Sequence, residues 1–288
     1  MKIVIGVDAG GTGTRAVAMC GGRVVRRGVA GPGNPAAVGP ARAAQEIKRA
    51  VEQVAEAGDT VLALAAGVAG ISALDEAMCR APLEHLRCPM LFYADAVTAF
   101  AAGTDAADGT VLIAGTGAVA ATIRGHALGE VADGLGWLVG DEGSGVWLGL
   151  AAVRRVARDW RASPLADLVT ASAGVDTVDD LVNWANRGPR EAFAALAPGV
   201  CALAAAGDHD AQWLVEDAAG RLVSTVESLP VIDGPLVLAG GLLGSATAVQ
   251  HAVLARLAKR NPQVGEDPAV GAARLAEWSP MVEETTPS

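Results

Sequence analysis

Aromatic residues are scarce in this 288-residue chain, with one Tyr, three Phe and six Trp, and the apolar mass is mostly Ala and Val. Cysteine is sparse too. Cys20, Cys79, Cys88 and Cys201 are spaced for neither a CxxC zinc site nor a dense disulfide framework, so buried free thiols are expected. No apolar run reaches about 18 residues without a Gly break or a charge, which argues against a membrane-spanning helix. Met1 to Gly6 runs directly into a strand pattern with no signal-peptide layout, and a cytoplasmic protein is expected. Basic residues are outnumbered, 22 Lys and Arg against 32 Asp and Glu. The resulting net charge of −10 argues against nucleic acid or an anionic membrane as partner. It leaves a nucleotide open, because backbone amides and Mg²⁺ hold phosphates inside an acidic protein. At 51% hydrophobic and 19% charged residues the chain is globular, and it is long enough for two domains.

Glycine is plentiful and marks two turns in particular, one in each half of the chain. The first is Asp8-Ala9-Gly10-Gly11-Thr12-Gly13-Thr14-Arg15, after the apolar run Ile3 to Val7; the second is Gly115-Thr116-Gly117, after Val111 to Ala114. A second β-prone stretch follows each. A strand, a Gly/Thr turn and a returning strand form a hairpin whose N–H groups can face a phosphate, and glycine removes the Cβ that would block the approach. Two such turns suggest two halves clamping one polyphosphate.

The rest of the chain repeats one plan. Residues 3–29 read as three strands, the last two joined by the hairpin signal Gly21-Gly22. A helix is expected over roughly 40–57, a buried strand over Val61–Val68, a short helix near Leu74–Arg80, and a strand over Met90–Tyr93 that ends at Asp95, with a helix from Ala96. The plan restarts with strands at Thr110–Ala114, Val119–Arg124 and Ala127–Val131. A glycine-rich loop and a helix near Val146–Trp160 follow, then several helices over 163–228, a strand at Leu236–Ala239 and helices near 246–259 and 268–277. Two halves that each open on a three-strand meander imply a duplicated α/β fold with a cleft between the halves.

The first turn is not a P-loop, because no Lys follows its last Gly. Asp8 ends a buried strand beside free N–H donors, a placement that suits a carboxylate holding Mg²⁺ through water. Gly115-Thr116-Gly117-Ala118-Val119-Ala120 also fits a dinucleotide GxGxxA with Asp133 downstream, but the hairpin pattern after it disfavours that reading. Asp95 fits either a helix N-cap or a general base at the carboxyl end of a strand. The loop Gly134-Leu135-Gly136-Trp137-Leu138-Val139-Gly140-Asp141-Glu142-Gly143-Ser144-Gly145 offers carboxylates for sugar hydroxyls and an indole face. Gly240-Gly241 either lets the backbone approach a flat ring or makes a plain strand-to-helix turn.

In this order the motifs resemble the sugar-kinase, actin and heat-shock-chaperone superfamily. Within it the chain is similar to the BadF/BadG/BcrA/BcrD ATPase family, in particular its N-acetylglucosamine kinase and glucosamine kinase members. The resemblance runs through Asp8–Arg15, Asn34, Asp95, Gly115-Thr116-Gly117, Gly140-Asp141-Glu142-Gly143-Ser144, Leu238-Ala239-Gly240-Gly241 and Asp267-Pro268-Ala269-Val270-Gly271-Ala272. It implies duplicated ribonuclease H-like (actin-like ATPase) α/β domains, at 1–107 and 108–267, with the helix at about 268–277 packing back on the first. It further implies ATP-dependent phosphorylation of an amino sugar at its 6-hydroxyl, with Asp95 catalytic. Asn34, Asp95, Gly117, Trp137 and Asp141 would take the sugar. Gly10, Gly11, Thr12, Thr14, Arg15, Thr116, Gly117, Gly240 and Gly241 would take ATP, Asp8 would serve Mg²⁺, and a homodimer is expected. The alternative is a nucleotide-dependent activator or regulatory ATPase of the same family. Activators hold an iron–sulfur cluster through cysteines near the nucleotide loops, and no Cys lies between Cys88 and Cys201 here.

Overall fold

A computed structural model describes residues 1–279. The first half is built from β1 Lys2–Ala9, β2 Thr14–Cys20, β3 Arg23–Ala30, α1 Pro35–Val38, α2 Pro40–Glu52, β4 Thr60–Val68, α3 Glu76–Arg80, β5 Met90–Ala94 and α4 Asp95–Ala101. The second opens with β6 Gly109–Ala114, β7 Ala118–Arg124 and β8 Ala127–Asp133. Six helices follow: α5 Gly145–Arg158, α6 Pro164–Ala173, α7 Val178–Arg187, α8 Arg190–Ala194, α9 Ala197–Ala205 and α10 His209–Glu227. Then come β9 Leu236–Ala239, α11 Ala248–Arg256, β10 Gln263–Val264 and α12 Pro268–Glu277.

The two five-stranded sheets have the orders β3-β2-β1-β4-β5 and β10-β9-β6-β7-β8. Read from the meander outward, the second is β8-β7-β6-β9-β10, the same path as the first, so the α/β plan is duplicated. In the first sheet β1 and β2, and β2 and β3, run antiparallel, whereas β4 is parallel to both β1 and β5. Gly21 and Gly22, at φ 54° and 73°, make the tight β2–β3 turn, a conformation that costs glycine little. By contact the chain divides into two compact units. One holds residues 1–111, 123–129 and 265–279; the other holds 112–122 and 130–264.

In the first unit α2 covers one face of the sheet through Ala44, Ile47, Ala50 and Val51, and α12 covers the other through Ala269, Val270, Ala272, Ala273 and Ala276. In the second unit α5, α9 and α10 supply about half of the core, with Leu148, Val200, Ala218 and Leu222 fully buried. Scarcity of aromatics is thus met by alanine-lined, close-packed interfaces. α2 ends at Glu52 rather than near 57 because Gln53 leaves the helical pattern for β3. Its amide accepts from the Val29 N–H at 3.1 Å and donates to the Val29 carbonyl at 2.7 Å. Among the described residues no single helix is long and apolar enough to cross a membrane.

Candidate active site

In the first unit two acids stand at the carboxyl ends of parallel strands, β1 and β5, that flank β4. Asp8 of β1 pairs in register with Gly67 of β4, and Gly67 with Tyr93 of β5, so Asp95 lies two strands over and just beyond that row. Two strand spacings put the backbones about 10 Å apart. Gly67 makes this possible: a Cβ there would stand 2.0 Å from the Thr98 hydroxyl oxygen, so only glycine lets α4 begin where it does. Asp95 is the first residue of α4, and the cap position is Ala94, with no side-chain cap bond. The N-cap reading of Asp95 is therefore corrected. Its carboxylate accepts from the adjacent Ala96 N–H, at 3.0 Å. Burial, then the Asp8 carboxylate, push Asp95 up to about 6, against the pull of the Ala96 and Asp95 N–H groups. Burial likewise raises Asp8, opposed by Arg15, whose guanidinium donates to it at 2.5 Å. Arg15 also reaches Asp267, at 3.5 Å.

The turn between β1 and β2 closes with Gly10 N–H donating to the Gly13 carbonyl at 2.9 Å. The Gly10 carbonyl accepts from Gly33 and Asn34, at 3.0 and 3.2 Å, which ties Asn34 to the turn. The Asn34 side-chain oxygen caps α1 by accepting from Ala36 N–H at 2.9 Å, which leaves its NH₂ to face a ligand. Thr12 is exposed at the turn, whereas Thr14 is buried and spends its hydroxyl proton on the Gly31 carbonyl. Gly10, Gly11 and Gly13 all have ordinary φ, so their glycine character serves close approach and not a left-handed turn.

The second unit repeats the device. Gly115 N–H donates to the Gly117 carbonyl at 2.9 Å, and the Gly115 carbonyl accepts from Gly145 at 2.8 Å, the first residue of α5. Ser144 caps α5, as Asn34 caps α1. Gly115 and Gly117 also have ordinary φ. A Cβ on Gly117 would stand 2.8 Å from the Asp141 carboxylate, which places Asp141 directly against the turn. Burial raises the Asp141 carboxyl, opposed by the Ala118 N–H. β9 delivers the third glycine pair. Gly240 has φ 87° and a Cβ there would stand 2.4 Å from the Ala114 carbonyl, so Gly240 is a structural turn. Gly241 is different: nothing lies within 4 Å of where its Cβ would point, and its N–H lies 3.5 Å from the Cβ position of Gly115. Gly241→Leu is therefore expected to leave the melting temperature unchanged and to lower nucleotide affinity, measured by calorimetry. Gly240→Ala is expected to cost about 2 kcal/mol or more of stability.

Trp137 is half-buried and packs its ring against Phe193, centroids 6.3 Å apart, on the rim of a cavity of about 420 Å³ formed with α5 and α7. It is held from the helical side of the loop. The residue that sequence reasoning passed over is Asp133. It adopts φ 62°, and its carboxylate accepts from the Asp141 and Glu142 N–H groups at 2.7 and 2.8 Å. Gly140 packs so closely that a Cβ would stand 2.3 Å from the same carboxylate. Asp133 thus fixes the backbone that carries Asp141. Beyond its place in the dinucleotide pattern, its sequence signal was an acid that closes a strand just before a Gly-rich, acid-ended loop. Gly117, Asp141, Gly115 and Gly241 are brought together in the second unit; Asp8, Arg15, Asn34, Asp95 and the first turn share the first.

Comparison with known proteins shows the family. The sequence profile of the BadF/BadG/BcrA/BcrD ATPase family matches residues 5–276. The chain is 27% identical to an N-acetyl-D-glucosamine kinase of Dictyostelium discoideum, covering 96% of this chain and 98% of that protein. It is 24% identical to an N-acetylmuramic acid/N-acetylglucosamine kinase of Clostridium acetobutylicum, over 85% of this chain and 87% of the relative. A solved structure from Chromobacterium violaceum, described as a candidate N-acetylglucosamine kinase, superposes with a TM-score of 0.75 at 25% identity, over 96% of this chain and 99% of that one.

Proposed function

This chain belongs to the BadF/BadG/BcrA/BcrD ATPase family, and from that premise we propose that it is an ATP-dependent amino-sugar kinase. It transfers the γ-phosphoryl group to the 6-hydroxyl of N-acetylglucosamine or glucosamine. The observation that carries the reading is Asp95: a strand-end carboxyl raised to about 6, met by backbone N–H groups and with a second acid two strands away. A base titrating there is ionised at neutral pH and close enough in basicity to accept a hydroxyl proton as the oxygen attacks. In the step the bond from O6 to the γ-phosphorus forms, the bond from that phosphorus to the β,γ-bridging oxygen breaks, and the O6 proton passes to an Asp95 carboxylate oxygen. The amide-rich turns at Gly10–Gly13 and Gly115–Gly117 bind phosphate oxygens, and Asp141 and Asn34 orient the sugar.

Mg²⁺ fits the acids present. Asp8 is a carboxylate at 8% exposure at a strand end beside the first turn, a donor that would serve an ion that keeps its waters and leans on one or two carboxylates and the phosphates. When bound, the ion neutralises phosphate charge. We further propose a homodimer and a cytoplasmic location, tested by light scattering and by fractionation.

³¹P NMR of the product after incubation with ATP and each hexosamine tests the reading: a sugar 6-phosphate is expected, and a product phosphorylated elsewhere, or inorganic phosphate alone, would refute it. Asp133→Ala removes two amide hydrogen bonds to a carboxylate, interactions worth about 1.5–3 kcal/mol each. It is expected to raise the KM for sugar at least tenfold while the KM for ATP moves less than threefold. Equal changes in both would make Asp133 a general fold residue.

A further inference from the structure

A groove of about 760 Å³ lies between α5 and α10, with Glu142 of the glycine-rich loop also lining it. Trp147, Ala151, Arg154, Arg155 and Arg158 line it from α5, a single stripe at helical spacing. His209, Trp213, Asp217 and Arg221 face them from α10. This is the densest basic stretch of an acidic chain: Arg154, Arg155, Arg158 and Arg161 fall within eight residues.

The charges are not equivalent. Asp210 is fully used, since Arg155 donates to one oxygen at 2.7 and 3.1 Å and Arg161 to the other at 2.9 Å. Glu142 and Asp217 are both taken by Arg221, whose guanidinium also stacks over Trp147 at 4.6 Å. Every groove acid is therefore neutralised. Arg154 and Arg158 are exposed and have no ion-pair partner among the described residues. One turn apart on one face, their side chains can converge on a single dianion, a phosphate being the group that suits two guanidinium forks. Beside them Trp213 is 62% exposed, an unusually large apolar ring to leave in water. A ring stacked on that indole would cover it.

We propose that this groove is a second binding site, taking a small phosphorylated ligand with a flat or apolar ring face, its phosphate on Arg154 and Arg158 and its ring on Trp213. A sugar 6-phosphate and a nucleoside monophosphate share that chemistry. The site does not depend on which sugar the kinase uses.

The test is a two-dimensional NMR titration of the full chain, following the Trp213 indole N–H, assigned with Trp213→Phe. Glucosamine 6-phosphate, a nucleoside monophosphate and inorganic phosphate are added separately to millimolar concentration. The ring-bearing phosphates are expected to shift the Trp213 resonance saturably, the tighter of the two naming the source, and inorganic phosphate is expected to bind more weakly. Arg154→Ala/Arg158→Ala should weaken binding about tenfold or more while kinase turnover and melting temperature stay at wild-type values. The proposal is overturned if no probe moves the Trp213 resonance, or if the double variant binds as tightly as the wild type. Equal affinity for inorganic phosphate and the ring-bearing probes would refute the stacking role of Trp213.

Discussion

Asp95→Asn is expected to lower kcat by about 10²–10⁴ while ATP affinity changes little. The amide keeps the size of the carboxyl and its acceptor oxygen for Ala96 N–H, so shape is retained and only the proton acceptor is lost. The same substitution should stabilise the fold. Asp95 has its carboxyl raised from 3.8 to about 6, so its contribution favours the folded state below 3.8 and is lost as pH rises through 6. Asparagine never ionises and keeps that contribution at neutral pH, a gain of about 2 kcal/mol. In the wild type kcat/KM should fall tenfold per pH unit below about 6, where Asp95 carries its proton, and this limb should vanish in the variant. Stopped assays from pH 4.5 to 8 with parallel thermal melts check both. Turnover within a few-fold of wild type would reduce Asp95 to a helix-starting residue.

Gly117→Val is expected to abolish detectable ATP binding in a folded protein and to disturb the sugar site as well. The added Cβ would stand 2.8 Å from the Asp141 carboxylate, so either the turn or Asp141 has to move. Gly115→Val separates the two effects. Its Cβ has room, with the nearest atom, Gly241 N, at 3.5 Å, so it should weaken nucleotide binding and leave Asp141 in place. Calorimetry with a non-hydrolysable ATP analogue, together with sugar binding in its absence, distinguishes them. A Gly117→Val protein that binds ATP as the wild type does would make the turn a structural hairpin.

What the sequence made legible are features fixed by neighbours in the chain. Strands, hairpins and glycine turns follow from local sterics and hydrophobic runs, and the repeated meander announced the duplicated fold. Asp95 at the end of β5 was legible because an acid closing an apolar run is conspicuous. Its altered basicity was not, since that depends first on burial in the folded unit and then on Asp8, two strands away. Asp133 attracted notice only as the acid of a dinucleotide pattern; its bonds to Asp141 and Glu142 exist because the loop folds back on its own start. Thr14 reads as a phosphate ligand until Gly31 is seen to take its proton, and Trp137 reads as a free platform until Phe193 is found beside it. Helix α2 stops early for the same kind of reason, a side chain answering to a strand that sequence order does not place next to it.

The central claim, a phosphoryl transfer that needs the sugar, is tested most directly by ADP release measured with and without a panel of hexoses. ADP should appear only slowly with ATP alone, and N-acetylglucosamine or glucosamine should raise the rate by orders of magnitude, with glucose and galactose well behind. ADP released at the same rate whatever sugar is present would contradict the account and identify an ATPase that acts on something other than an amino sugar.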